Sequence, residues 1–350
     1  MERTYVLEPG AYLRKAGDHL AVTKAGALIA EIPLEGLRQL TLVGAASLSG
    51  AVLDVLIQRR IETVLLTPRG RFRARLMVDE HKHVERRRAQ YLRLSDPDFV
   101  LRTAKAVVAG KLRNAARFLS LRAKAYGDGE LGRTAARLKG LSESVASQSD
   151  LDLVRGMEGI GGNLYFQVFA RLIRVPGFRF EGRNRRPPKD PINALLSFVY
   201  TLLTLEVLTA VKVVGLDPYL GALHAVEYGR PSLPCDLVEE WRSFLGDRLV
   251  LGLVNRRVIG PDDFVYRKVA CIDGVDEEDL KQRRPVEMKP KIARAFLEAY
   301  ERWMTTRVTL PDTGIGTDYR GLIRHQVWNF CRCLTGERDT YEPFMWSKVT

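Results

Sequence analysis

A chain of 350 residues with 46% hydrophobic content can bury a sizeable core and divide into two domains, which excludes a disordered chain and a small disulfide scaffold. Its 55 Lys and Arg against 42 Asp and Glu leave a net charge of +13, a balance suited to a polyanionic partner. The excess is concentrated, with eight basic residues against three acids over 69–91 and seven against one over 171–189. The N-terminal MERTYVLEPG has no apolar signal core, and Cys235, Cys271, Cys331 and Cys333 form no CxxC pair, so reduced thiols in a cytoplasmic protein are expected.

Residues 1–78 read as a small β domain. Short runs rich in Val, Leu, Ile and Thr begin at Tyr5, His19, Ala27, Gln39 and Thr63, and Gly17-Asp18 has the composition of a hairpin turn. One helix, about 49–60, interrupts them, with Val52, Leu53, Leu56 and Ile57 at helical spacing. Arg69, Arg71, Arg73 and Arg75 then alternate, which on a strand puts all four on one face, as a charged edge or a phosphate-contacting ridge. Residues 79–92 are highly charged and aperiodic and are expected to form a linker; His81 and His83 read as solvated linker residues.

From 93 to 350 the pattern predicts a larger all-α domain. Asp96-Pro97 starts a helix whose stripe includes Ala104, Val107, Val108, Leu112 and Ala115. Further helices are predicted over about 131–148, 150–175, 190–214, 234–245, 286–307 and 319–334. The segment 192–214 is apolar enough to raise a membrane span, but Glu206 and Lys212 inside it favour a buried helix of a protein with no membrane partner. The fold class expected is therefore α+β in two domains, β-rich first and helical second.

Three short segments offer chemistry. Glu158 lies among Gly156, Gly159, Gly161 and Gly162, poor helix formers that allow close backbone approach to a ligand. His224 ends GLDPYLGALH, and Asp236 and Glu239 are three residues apart on one predicted helix face. Carboxylates with one imidazole form a hard ligand set that suits Mg²⁺ or Mn²⁺ better than Zn²⁺. Taken singly, an exposed acidic face or a structural histidine would account for each. The basic segment around Arg183, Arg185, Arg186 and Lys189 precedes a helix start and is suited to gripping phosphates. Tyr165, beside Phe166 and Phe169, reads as a packing residue or substrate contact in preference to a covalent nucleophile.

The order of these segments carries more than any one of them. NRRPPKDPINALLSF from Asn184, GLDPYLGALH from Gly215 and GRPSLPCDLVEEWR from Gly229 together resemble the CRISPR-associated integrase of spacer acquisition, the endonuclease-like subunit of the adaptation machinery. The Glu158-Gly159 segment with Tyr165-Phe166 matches that family's first motif, and the likeness extends from Gly44 and GRFRARL at Gly70 to Tyr319 and Gln326. Pro234-Cys235 before the aspartate and Ser243 after the arginine depart from its usual residues. The resemblance implies a homodimer formed through the N-terminal β domain, a small CRISPR-associated partner subunit, and DNA as both short duplex donor and repeat target. It implies metal ligation by Glu158, His224 and Glu239 with Asp236 nearby, catalysis by the first three, and DNA contacts from Arg71, Arg73, Arg75, Arg183, Arg185, Arg186, Lys189 and Arg242. The reaction implied is 3′-hydroxyl attack on a phosphodiester, or hydrolysis when water attacks. A structure-selective repair nuclease with the same site, and a catalytically silent nucleic-acid scaffold, are the competing readings.

Overall fold

A computed structural model describes residues 3–67, 72–76, 83–184, 187–266, 286–310 and 312–346. The chain divides into two compact units, Met1–His81 and Lys82–Thr350.

The first unit holds two four-stranded sheets. β1 (Arg3–Val6), β5 (Gln39–Val43) and β7 (Glu62–Leu66) run parallel, and β8 (Phe72–Leu76) pairs antiparallel with β7 at the edge. β2 (Ala11–Ala16), β3 (His19–Lys24) and β4 (Ala27–Pro33) form a meander, with β6 (Ala46–Leu48) parallel to β2. The expected Gly17-Asp18 turn joins β2 to β3, with Gly17 at φ +60° where other residues are strained. Helix α1 (Gly50–Gln58) starts where the Ser49 hydroxyl accepts from the Val52 N–H. Its Val52 and Leu56 join Leu13, Leu20, Leu40 and Leu42 in one apolar core.

The second unit is mainly helical. α2 (Val84–Leu94) occupies much of the expected linker. Its anchors are polar, which is why no apolar period marks it. Gln90 is buried and its amide donates to the carbonyls of Asp217 (2.8 Å) and Leu220 (3.0 Å), while the Asp217 N–H donates back to it at 2.7 Å. Arg86 donates to the Val214 carbonyl and lies over the Trp328 ring. α3 (Pro97–Tyr126) begins at the Asp96 cap, where Pro97 sacrifices no helical bond, and ends at Gly127. α4 (Gly129–Ser144) and α5 (Leu151–Val168) pack against it. α6 (Pro191–Val214), the apolar segment, is a core helix: most of it is buried, and its Glu206 is held by Arg320 at 3.2 Å.

The helix expected over about 234–245 is not continuous. α7 (Ser232–Leu237) gives way to a tight 3₁₀ turn, Glu239–Trp241, then to a wide π turn, Arg242–Asp247, and only then to α8 (Arg248–Asn255). Changes of pitch of this kind rotate successive side chains away from α-helical spacing. Two short antiparallel ribbons, β9 (Phe264–Tyr266) with β10 (Val286–Met288) and β11 (Arg307–Thr309) with β12 (Gly316–Asp318), also interrupt the helical unit. Val286, expected to start a helix, therefore lies in a strand, and the helix that follows is Pro290–Met304.

Candidate active site

α3, α5 and the 3₁₀–π turn meet at one cleft and supply Lys111, Glu158, Glu239 and Arg242. The Lys111 ammonium donates to Glu158 Oε1 and lies 2.7 Å from Glu239 Oε2, and Arg242 Nη2 lies 3.0 Å from Glu239 Oε1. The ammonium and Glu239 Oε2 are at charge-assisted hydrogen-bond distance, and the bond from Lys111 helps to lower the Glu239 carboxyl. Burial pushes the Glu239 carboxyl up, but Arg242 and Lys111 outweigh it and hold it down at about 2, with His224 adding to the pull. Glu239 is thus a buried carboxylate whose charged form is favoured by two cations at the cleft.

Lys111 was not legible as a site residue, yet it had a signal. It lies three residues after Val108 and four before Ala115, on the apolar stripe of α3, where a cation needs a partner. The close approach of α5 to α3 explains one of the suspicious glycines. A Cβ at Gly161 would stand 2.1 Å from Leu112 Cδ2, so glycine here serves helix packing. Nothing lies within 4 Å of a Cβ built on Gly159 or Gly162, and both line the cleft. The cleft, about 610 Å³, runs from Lys111 and Glu158 past Phe166 to Phe180, Arg183 and Asp247.

The structure takes Asp236 out of the ligand set. Only 1% exposed, it spends both oxygens on the loop that carries His224. Oδ2 accepts from the N–H groups of Ala222 (2.6 Å) and Leu223 (2.9 Å), and Oδ1 accepts from the His224 N–H (2.9 Å) and faces His224 Nδ1 at 2.6 Å. Gly221 permits this wrap, because a Cβ there would sit 2.5 Å from Asp236 Oδ2. With Nδ1–H committed to the carboxylate, the imidazole lone pair is on Nε2. Arg155 of α5 donates to the Leu223 carbonyl at 2.8 Å and ties the loop to the helix bearing Glu158.

Glu158 and Glu239 therefore meet on one ammonium. Among the described residues no three carboxylate, imidazole or thiol groups form a closed cation cage. Two carboxylates that converge on one exchangeable ammonium nonetheless supply the oxygen ligands that a hard divalent ion takes. Glu158, Glu239 and His224 Nε2 are the groups that would hold it.

The basic residues expected to contact DNA separate. Arg75 is bound to Glu62 of the neighbouring strand, with a side chain only 5% exposed, whereas Arg73 is exposed. Arg183 donates to the Asn184 carbonyl (2.6 Å), Asn193 Oδ1 (2.6 Å) and Ser197 Oγ (3.0 Å), which makes it an anchor at the cleft wall. Lys189 is exposed, and Arg242 lies in the cleft against Glu239 and 4.9 Å from the Tyr200 ring. Arg71, Arg185 and Arg186 lie outside the described residues.

Sequence reasoning also missed Asp247, whose apolar surroundings gave no signal. It accepts from the hydroxyls of Tyr165 (2.7 Å) and Tyr200 (2.6 Å) beneath the cleft. Burial pushes its carboxyl up to about 6, against the lowering effect of those bonds. Tyr165 is buried against Phe166 and Phe169, a packing residue as expected.

Comparison with known proteins adds the following. The sequence pattern of the family described as CRISPR associated protein Cas1 matches residues 4–301. A CRISPR-associated endonuclease Cas1 of Chlorobaculum tepidum is 35% identical, over 98% of this chain and 97% of its own. One from Thermus thermophilus is 37% identical, over 97% and 96%. Among solved structures, a Cas1 protein from Thermotoga maritima superposes with a TM-score of 0.78 at 24% identity, covering 96% of this chain and 97% of that one. A casposase bound to integration product superposes at 0.82 with 18% identity, covering 98% and 93%. These last two are likenesses of fold.

Proposed function

The chain belongs to the Cas1 family, and from that premise we propose that it is a divalent-metal-dependent DNA endonuclease and integrase that inserts short DNA duplexes into a CRISPR repeat. The observation that carries this reading is the pair Glu158 and Glu239 converging on one ammonium, that of Lys111, at the cleft. The relatives from C. tepidum and T. thermophilus, both CRISPR-associated endonucleases, support the nuclease half.

In this reading Mg²⁺ or Mn²⁺, when bound, lowers the pKa of the attacking oxygen and offsets charge building on the phosphate. Glu158, Glu239 and His224 would hold it, and Asp236, 2.6 Å from His224 Nδ1, orients the imidazole. Arg242, paired with Glu239 at the cleft wall, and Lys111, released from the carboxylates, offer positive charge to the phosphate oxygens. For integration the 3′-hydroxyl of the donor strand forms the new P–O bond, and the target strand's 3′-oxygen leaves. One phosphodiester replaces another, so no outside energy source and no covalent protein intermediate are required. Water in place of the hydroxyl gives cleavage.

The partners in this proposal are DNA, a second copy of the chain and a small adaptation subunit, acting together in the cytoplasm. The test is strand transfer: labelled short duplex and a supercoiled repeat plasmid, with and without the small subunit, in Mn²⁺ or EDTA. Metal-dependent joining that disappears in Glu158→Ala and His224→Ala is expected. Equal cutting of branched DNA without joining would favour a repair nuclease, and binding with neither reaction would favour a scaffold.

A further inference from the structure

The residues near the C-terminus, beyond the span 4–301 that matches the family pattern, come back to the rear of the cleft. Tyr341 donates its hydroxyl to Glu240 Oε1, and the Phe344 N–H donates to Glu240 Oε2. Gln326 donates to Tyr341 Oη at 3.0 Å and to the Glu342 carbonyl at 2.6 Å. The Phe344 ring stacks on Trp241, with centroids 4.2 Å apart and planes 23° from parallel. Trp346 packs on Phe118 and Phe244, under the Arg248 guanidinium.

One helix links this segment to the carboxylates. Lys111 of α3 contacts Glu158 and Glu239, and one turn further on Asn114 grips the other side of the same structure. Asn114 Nδ2 donates to the carbonyls of Glu240 (3.0 Å) and Phe344 (2.9 Å), and its Oδ1 accepts from the Trp346 N–H at 2.9 Å. A Cβ on Gly110 would lie 2.5 Å from Pro343 Cβ, so the segment rests directly on the α3 backbone. Glu240, the residue following Glu239, is thus held at its carbonyl by Asn114 and at its side chain by the C-terminal segment. A 3₁₀ turn has poorer hydrogen-bond geometry than an α-helix, so this turn takes its orientation from these outside contacts.

We propose that Tyr341–Trp346, with Asn114, is a positioning element that sets the Glu239 carboxylate for the divalent cation, an inference that rests on the metal-dependent reading of the cleft. These residues touch no reacting atom; they act through Glu240 and the turn. Ligand-supporting partners are commonly worth about ten- to a hundredfold in metal affinity, because a loosened ligand must be reordered on binding.

The test is Mn²⁺ titration by calorimetry on the full chain, beside melting temperature in EDTA. Tyr341→Phe keeps the ring and removes one donor. It is expected to weaken Mn²⁺ uptake by about tenfold while the melting temperature changes little. Gln326→Met removes donors to Tyr341, Glu240 and the Glu342 carbonyl but keeps the Tyr341 hydroxyl on Glu240; it is expected to weaken uptake less and serves if the first variant does not fold. Glu206→Gln perturbs another buried carboxylate, one held by Arg320 and Tyr300; it should lower the melting temperature and leave Mn²⁺ affinity unchanged. Wild-type affinity in folded Tyr341→Phe and Gln326→Met overturns the inference alone. A wild-type chain that takes up neither Mn²⁺ nor Mg²⁺ overturns the metal reading and the inference together.

Discussion

Glu239 and Glu240 are adjacent, both almost inaccessible, and their environments drive them in opposite directions. On the cleft side, Glu239 is held down at about 2: burial raises it, but Arg242 and Lys111 prevail. On the core side, burial pushes Glu240 up to about 7, and the bonds from Tyr341, Phe344 and Gln326 only moderate the rise. One carboxylate has cations; the other has neutral donors and no cation. Burial alone therefore does not mark a functional acid. The marker is compensation by cations in place of neutral donors, because such a site can exchange one cation for another.

The largest effect should come from removing the cleft side of this contrast. Glu158→Ala or Glu239→Ala is expected to lower metal-dependent cleavage and strand transfer by about a thousandfold or more, several kcal/mol of transition-state stabilisation. DNA binding by gel shift should change little, since the basic surface remains. A Glu158→Ala protein with near wild-type turnover would break the assignment of the cleft.

Lys111→Met sharpens the comparison by removing the ammonium that the two carboxylates share, leaving Glu239 with Arg242 alone. Removing one member of a buried ion pair costs about 3–5 kcal/mol. The variant should therefore be markedly less stable than wild type in EDTA and regain stability as Mn²⁺ is added. A larger Mn²⁺-induced rise in melting temperature than in wild type is the expected readout. No such rise would mean that the ammonium and the divalent ion do not share a position.

These residues also show how far the sequence could be read. The motif order around Glu158, His224 and Glu239 was legible because each segment keeps a recognisable composition. The β-rich first unit and helical second were legible from their periods. The break of the 232–255 region into α, 3₁₀, π and α turns was not, because the composition of VEEWRSFLGD is compatible with one continuous helix. The opposite fates of Glu239 and Glu240 followed it into obscurity, since spacing rules assume one pitch. Asp236 was read by spacing as a partner of Glu239, whereas its oxygens are consumed by the backbone of a loop a dozen residues earlier. α2 was hidden for a third reason: it is held by Gln90 and Arg86, and hydropathy cannot detect a helix anchored through amide and guanidinium bonds.

Asp247 extends the contrast to pH. Its carboxyl is raised to about 6 from an ordinary 3.8, chiefly by burial, so the folded state holds its proton over a range in which the unfolded chain has lost it. The stability it contributes is present below about pH 4 and is lost as pH rises through about 6, a change of roughly 3 kcal/mol. Asp247→Asn keeps an acceptor for one tyrosine and cannot ionise. Urea unfolding at pH 4.5 and pH 7.5 should show a smaller decline in the variant than in wild type. An unchanged decline would assign the pH dependence elsewhere, Glu240 being the next candidate.

The smallest effect divides the arginines as the larger ones divide the glutamates. Arg73 and Arg75 lie two residues apart in β8, where the register shifts at Arg73; Arg75 is spent on Glu62 and Arg73 is exposed. A phosphate contact releases about one condensed counterion, so Arg73→Ala should lower DNA affinity only a few-fold at moderate salt and reduce the slope of log affinity against log salt by about 0.9. Arg75→Ala should leave that slope intact and instead destabilise the first unit, because Glu62 loses its partner in the sheet. If Arg75→Ala reduces the slope as much as Arg73→Ala does, Arg75 must leave Glu62 when DNA binds. Its ion pair would then be, like that of Lys111, a provisional one.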